Sequence, residues 1–272
     1  MEVKRPLPWL TPAAGAEPMK QPLAGQVALV TGAGTGIGAA ASRALAQAGA
    51  SVGLIGRRQQ PLDEIAAEIV QAGGEGWALP TDVADLSAVE AAVERCLALG
   101  KGRLDVLVNN AGINTKYRSL DNISANDWAR VVDINLNGAY WCVRAVLPVM
   151  RQQEVGLIVN ISSGAGRGPS QVSGVAYSAT KTALASLNGA INQEEWQHGI
   201  RACVIYPGEV DTPMIDHRTV VPSAAARAAM MRPEDVANAI LFVATAPPRV
   251  TIDELVIRPT VVRDRSEELP DS

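Results

Sequence analysis

The sequence predicts an α/β domain built on one doubly wound, seven-stranded parallel sheet. Three observations carry this expectation. Short β-branched or aliphatic runs alternate along the chain with longer, alanine-rich amphipathic stretches, the pattern of strands covered by helices on both faces. A glycine-rich turn, TGAGTGIG (31–38), directly follows the first of the short runs. The 272 residues are 47% hydrophobic, with no internal repeat and no interdomain linker, which suits one large core.

The elements follow in order. QVALVT (26–31) is a continuous apolar run closed by a turn signal, hence a buried strand, and a helix follows from about Gly36 to Ala48. SVGLIG (51–56) is the second strand. QPLDEIAAEIVQAG (60–73) is a helix with Pro61 in its first turn and Gly73 beyond its end. GWALP (76–80) is a short third strand, followed by a helix near 86–99. LDVLVNN (104–110) is the fourth strand, with a long helix over roughly 125–151 after it. GLIVNIS (156–162) is the fifth, followed by a second long helix over roughly 174–197. RACVIYPG (201–208) is the sixth; a helix begins at Pro233 after a loop-rich section, and DELVIRP (253–259) is the seventh strand. Right-handed crossovers between such strands place a ligand at their carboxyl ends. The domain spans 23–260. Residues 1–22, with five prolines and no continuous apolar stretch, read as a flexible extension rather than a signal peptide or helix; Trp9 and Leu10 are its apolar residues able to dock. Residues 261–272 read as a charged, frayed C-terminal tail.

Composition excludes several functions. The formal net charge is −4 and only 19% of residues are charged, so no nucleic-acid partner is expected. No apolar run approaches the roughly 18 residues of a membrane span. Cys96, Cys142 and Cys203 stand far apart without a CxxC pair, which favours a reducing, cytoplasmic setting over a disulfide framework. His198 and His217 show no metal-ligand spacing, so no metal is expected.

The glycine turn sits where a dinucleotide pyrophosphate would lie. Glycine lets the backbone approach a phosphate, and the helix that opens there offers free N–H groups. Gly32, Thr35, Gly36, Ile37 and Gly38 are the candidate contacts, with Gly34 between them. Dinucleotide folds tend to place an acid after the second strand to bind the ribose 2′-OH of NAD. Here that strand ends in Gly56-Arg57-Arg58. Either Arg57 and Arg58 receive a 2′-phosphate, favouring NADP(H) with NAD(H) possible, or they form a solvated basic turn. In TDV (81–83), Asp82 hydrogen-bonds the adenine edge or caps the next helix, with Val83 beside it.

TGAGTGIG, NNAG (109–112), NISS (160–163), YSATK (177–181) and YPGEVDT (206–212) occur in this order across the domain. Together they resemble the short-chain dehydrogenase/reductase family. The resemblance covers about residues 23–260 and implies a Rossmann-type, NAD(P)-dependent oxidoreductase acting on CH–OH or C=O groups. It assigns Asn135, Ser163, Tyr177 and Lys181 as a catalytic tetrad. It lays Asn110, Ala111 and Gly112 along the cofactor and holds the carboxamide through Val210 and Thr212, on a cofactor-binding turn set by Pro207 and Gly208. It also implies a homodimer or homotetramer through the two long helices.

The residues agree with this chemistry. Positions i and i+4 share a helix face, so Tyr177 and Lys181 converge. A cation beside a phenol favours the phenolate and lowers its pKa, preparing Tyr177 for proton transfer. Strand alternation leaves open whether Ser162 or Ser163 faces the site; the resemblance selects Ser163. Asn135 either holds a water linking Lys181 to solvent or satisfies backbone groups. The Ser163-to-Tyr177 interval, 14 residues, is one longer than is common in the family and puts the pocket wall in doubt. Residues 209–231 stand where the family keeps a lid, with Met214, Ile215, Val220, Val221, Met230 and Met231 as an apolar wall or as ordinary packing. Arg118, Arg167, Arg218 and Arg227 are candidate carboxylate partners. A small carbonyl or alcohol substrate is therefore expected. The competing class is a non-catalytic dinucleotide-binding regulator or scaffold, whose trace would be a broken tetrad.

Overall fold

The computed structural model describes residues 21–263 and 265. The expected extension up to residue 20, including Trp9 and Leu10, and tail positions 264 and 266–272 lie outside the described residues.

Seven strands form one parallel sheet: β1 (Val27–Thr31), β2 (Ser51–Gly56), β3 (Glu75–Pro80), β4 (Val106–Asn109), β5 (Gly156–Ile161), β6 (Ile200–Pro207) and β7 (Glu254–Ile257). Their order is β3-β2-β1-β4-β5-β6-β7, and every pairing is parallel. The order reverses between β1 and β4, opening a crevice at the carboxyl ends of those strands.

Alternation along the strands feeds two cores. Ala28, Val30, Val106 and Val108 face one side and join Leu45 of α1 (Gly36–Gln47) and Ile240 of α8 (Pro233–Ala244). Leu29 and Leu107 face the other side and join Val93 of α3 (Leu86–Leu99) and Cys142, Val146 and Met150 of α5 (Gly138–Gln153). Leu29, Leu45 and Leu107 are fully buried, each contributing about 1.5–3 kcal/mol from apolar burial.

The remaining helices are α2 (Gln59–Gln71), α4 (Ala125–Val132), α6 (Val175–Glu195) and the short α7 (Ala224–Ala228). The helix expected over 125–151 is two α-helical pieces, α4 and α5, joined by a π-helical turn at Asp133–Asn137 and ending at Gln153. Hydrophobic periodicity cannot register a widened turn, because the apolar residues on either side stay on the core face. The fourth strand begins at Val106 rather than 104; Asp105 turns its carboxylate onto the N–H of Val27 at 2.8 Å. Asp85, not Asp82, caps α3 by accepting from the N–H of Ala88. Asp82 instead closes a turn by accepting from the N–H of Ala84.

Beneath the crevice runs a ladder of buried amides. Asn109 Nδ2 donates to Asn160 Oδ1 at 3.0 Å, and Asn160 Nδ2 donates to Asn188 Oδ1 at 3.1 Å. Asn188 Nδ2 ends the ladder on the carbonyls of Asp253 and Ala202. Buried amides require such partners, and these tie β4 and β5 to the inner face of α6.

Candidate active site

The glycine turn leads from β1 into α1. Gly36 has φ +54°, a conformation that favours glycine, and a Cβ on Gly38 would stand 2.2 Å from the carbonyl oxygen of Gly32. Asn110 fixes the turn from below: its Nδ2 donates to the carbonyl of Thr31 at 2.9 Å. The N–H groups of Asn110 and Ala111 donate to Thr31 Oγ1. Asn110 therefore acts first as a brace for the glycine turn.

Two cavities flank this turn. The smaller, about 160 Å³, is lined by Gly32, Thr35, Arg57, Arg58, Asp82, Val83, Ala111 and Gly112 among others. Its place beside the helix start and its exposed arginines fit the adenosine half of a dinucleotide. The larger, about 600 Å³, is lined by Ile37, Asn110, Gly112, Ser163, Tyr177, Lys181, Pro207, Gly208, Val210 and Thr212. Gly112 borders both. Gly36, Gly38 and Asn135 line neither: the two glycines shape the turn, and Asn135 stands behind Gly112.

Tyr177 and Lys181 project from the first two turns of α6. Lys181 is buried, and its Nζ donates to the carbonyl of Ile161 at 2.7 Å. It lies 5.6 Å from the centre of the Tyr177 ring. Ser162 is buried and spends its hydroxyl on the carbonyl of Lys181 at 2.7 Å. Ser163 Oγ caps the short 3-10 turn Gly164–Gly166 by accepting from the N–H of Ala165, and it lines the same cavity as Tyr177, whose charged form it favours. Of the two serines, then, Ser163 is the one engaged with the tyrosine.

Burial pushes the Tyr177 phenol above its ordinary value of 10; the Ser163 hydrogen bond and the Arg218 charge pull it down without cancelling that rise. Burial also pushes the Lys181 ammonium down to about 8. This corrects the expectation of a phenol lowered by its lysine: desolvation penalises both charged forms and dominates here.

The π turn sets Asn135. Its Oδ1 accepts from the N–H of Ile113 at 2.8 Å, while its Nδ2 donates to the carbonyl of Ile113 at 3.0 Å and to Thr180 Oγ1 at 3.3 Å. Lys181 Nζ and Asn135 Oδ1 both face Gly112: a Cβ there would sit in van der Waals contact with them, 3.4 Å from Nζ and 3.5 Å from Oδ1.

On the substrate side, Met214 and Ile215 line the larger cavity, whereas Met230 and Met231 are buried and border it only through their neighbour Ala229. Arg118, Arg167 and Arg218 line the cavity. Arg227 does not; it is drawn off by Asp211 and Asp216. Val261, Val262, Arg263 and Arg265 also line the cavity, although the sequence reading left them in a frayed tail. Arg263 grips Glu209 through Nε at 2.8 Å and a second nitrogen at 2.7 Å, and Arg218 reaches the same carboxylate at 3.0 Å. Burial pushes the Glu209 carboxyl up, but the hydrogen bonds from Arg263 and Arg218 outweigh it and hold the group below its ordinary value. A cluster of charges after the last strand gave no hint of a partner 54 residues earlier in the chain.

Among the described residues, no helix is long and apolar enough to cross a membrane, no group of metal-binding side chains is present, and the three cysteines are free and buried.

The family of short chain dehydrogenases matches residues 26–220. The short-chain reductase protein NovJ of Streptomyces niveus is 39% identical over 230 residues, covering 80% of this chain and 86% of that protein. An uncharacterized oxidoreductase of Staphylococcus haemolyticus is 33% identical over 237 residues, covering 87% of this chain and 98% of its own. Among solved structures, a metagenomic short-chain oxidoreductase in complex with NADP is 36% identical with a TM-score of 0.76, covering 89% of this chain and all of the other. A 3-ketoacyl-(acyl-carrier-protein) reductase from Brucella melitensis complexed with NADH is 30% identical with a TM-score of 0.77, covering 87% and 98%.

Proposed function

The chain belongs to the short-chain dehydrogenase family of NAD(P)-dependent oxidoreductases, and we propose that it interconverts a carbonyl and a secondary alcohol on a small, partly apolar molecule, with Tyr177 as general acid/base and NADP(H) as the preferred cofactor. The observation that carries this reading is the meeting of Ser163, Tyr177 and Lys181 at the wall of one cavity beside the glycine turn.

The adenosine end would rest against Arg57, Arg58, Asp82 and Val83, the pyrophosphate at Gly32–Gly38, and the nicotinamide end near Pro207, Gly208, Val210 and Thr212. The bound cofactor supplies the hydride. The substrate oxygen lies between the Ser163 and Tyr177 hydroxyls. In reduction, the carbonyl carbon gains the hydride and Tyr177 gives its proton to the oxygen, leaving an alcohol; in oxidation, Tyr177 takes that proton back. A buried phenol held in its protonated form suits the donating role. Lys181 has three N–H donors. One is committed to Ile161, leaving two for ribose hydroxyls. The approach of Lys181 Nζ and Asn135 Oδ1 to the same glycine supports a relay in which a water between them returns protons to the site.

The test is NADPH consumption with a panel of ketones and diketones, in wild type and in Tyr177→Phe. Loss of a general acid lowers turnover about 10²–10⁴-fold, with cofactor binding by fluorescence titration retained. Near-normal turnover in Tyr177→Phe refutes the assignment. A wild type that binds cofactor and turns over no carbonyl compound supports a non-catalytic regulator instead.

A further inference from the structure

The two serines after β5 divide their work, and the reaction described above uses only Ser163. Ser162 and Lys181 are each 3% exposed, and adjacent residues of one strand end hold this lysine at both of its ends. The carbonyl of Ile161, the last residue of β5, accepts from Lys181 Nζ at 2.7 Å. The hydroxyl of Ser162 donates to the Lys181 backbone carbonyl, also at 2.7 Å. The strand end is itself fixed, because the N–H of Ser162 donates to the carbonyl of Ile205 on β6 at 2.8 Å.

Gly166 completes this hold. A Cβ there would stand 2.4 Å from Ser162 Oγ and 2.7 Å from the Lys181 carbonyl oxygen. Gly166 has no positive φ, so it is space, not backbone conformation, that calls for glycine. Its bare Cα lets the 3-10 turn Gly164–Gly166 lie directly over the hydrogen bond between Ser162 and Lys181. The start of α6 is gripped from a second direction as well. Asn135 Nδ2 donates to Thr180 Oγ1, which in turn donates to the carbonyl of Tyr177 at 2.9 Å.

Inside a helix the carbonyl of residue 181 already accepts the N–H four residues on. The Ser162 bond is therefore not needed to satisfy that carbonyl; what it adds is the register of α6 against β5. Lysine has more rotamer freedom to lose than most side chains, and a lysine tied at both ends has lost it before a ligand arrives, which favours binding. Burial pushes the Lys181 ammonium down to about 8, so its acceptor at Ile161 matters to its charge.

We propose that Ser162 and Gly166 are positioning residues that set the height of Lys181 on β5, so that its ammonium stands ready for the nicotinamide ribose. This rests on the cofactor role given above to Lys181 and deepens it.

Paired ligands test this without turnover. NADP⁺ carries the ribose that Lys181 would hold, whereas adenosine 2′,5′-bisphosphate ends before it. NAD⁺ and AMP form the matching pair for a chain that prefers NAD. Each is titrated calorimetrically into the full chain, and the readout is the affinity of the dinucleotide divided by that of its adenosine half. Lys181→Ala should lower this ratio about 10- to 100-fold, the scale of charge-assisted hydrogen bonds. Ser162→Ala should lower it about 2- to 10-fold, the scale of one neutral hydrogen bond. Gly166→Ala should lower it too, by displacing the hydroxyl, and Ser163→Ala should leave it unchanged. In a Lys181→Ala background, Ser162→Ala should add nothing, because no ammonium remains to be placed. A loosened fold weakens both ligands and cancels in the ratio. Ser162→Ala removes one oxygen atom, so its result stands even if Gly166→Ala does not fold. The proposal is overturned if Ser162→Ala leaves the ratio unchanged while Lys181→Ala lowers it, or if Ser162→Ala costs as much without the lysine as with it. A ratio that ignores Lys181→Ala refutes the cofactor role of the lysine, and the proposal with it.

Discussion

The end of β2 offers the most direct handle on cofactor choice. The perturbation is Gly56→Asp combined with Arg57→Ala. A Cβ at Gly56 would lie 3.3 Å from Leu62 Cδ2 and 3.8 Å from Cδ1. Those atoms are the tip of a flexible side chain, and the position has no positive φ, so the strand accepts the new side chain with a small shift of Leu62. Arg57 is exposed, lines the smaller cavity, and has no carboxylate partner among the described residues. Its charge is therefore available to a 2′-phosphate. A charge-assisted hydrogen bond is worth about 1.5–3 kcal/mol, which at about 1.4 kcal/mol per tenfold gives roughly a 10- to 150-fold preference for NADP(H). Exposure brings this toward the lower end. The double change removes the attraction, repels the phosphate and offers the ribose 2′-OH an acceptor, so the preference reverses. The assay is the ratio of kcat/KM for the two cofactors with one substrate, before and after. Arg58, the N-cap of α2, retains part of the preference if Arg57 alone is changed. A wild type that prefers NAD(H), or a ratio untouched by the double change, refutes the reasoning and leaves the arginines as a solvated turn.

Two further outcomes are expected. Lys181 gives up its proton at about pH 8, whereas Tyr177 stays protonated past its ordinary value of 10. Reductive kcat/KM should therefore fall as pH rises through about 8, when the ammonium that holds the ribose becomes neutral; a profile flat to pH 10 contradicts the role given to Lys181. Trp128 on α4 and Tyr140 on α5 are 41% and 45% exposed, a share of aromatic surface that fits an interface with a second copy. Light scattering at micromolar concentration should give a dimer or tetramer, and a monomer counts against it.

The fold was legible because its signals are local. β1, the glycine turn and α1 each follow from adjacent residues, and parallel strands buried on both faces announce themselves as near-continuous apolar runs such as VALV and GLIV. Motif order pointed to Ser163, Tyr177 and Lys181, which meet at one cavity wall, and helical spacing paired the last two. What escaped depended on contacts distant in sequence or on geometry that periodicity does not encode. The π turn that aims Asn135 leaves the apolar pattern intact. Asn110 reads as a cofactor contact, yet its amide braces Thr31 at a separation of 79 residues. The clasp of Arg263 on Glu209 joins two charged residues that sequence alone would leave in solvent. The raised phenol of Tyr177 depends on how completely its surroundings exclude water, which a spacing rule cannot measure.

The amide ladder under the crevice bears on how the protein ages. Asn188 precedes Gly189, the dipeptide in which a side-chain amide is most readily attacked by the following backbone nitrogen. Inside α6 that nitrogen is locked in helical geometry and the amide is engaged with Asn160, Ala202 and Asp253, so the folded chain is shielded. Once α6 opens, the reaction replaces a donor with a carboxylate that must face the carbonyls of Ala202 and Asp253. Refolding would then bury a negative charge against two acceptors. Each excursion of this helix thus carries a chance of irreversible chemical damage, and the lifetime of the protein on storage is tied to how rarely the helix bearing Tyr177 and Lys181 comes undone.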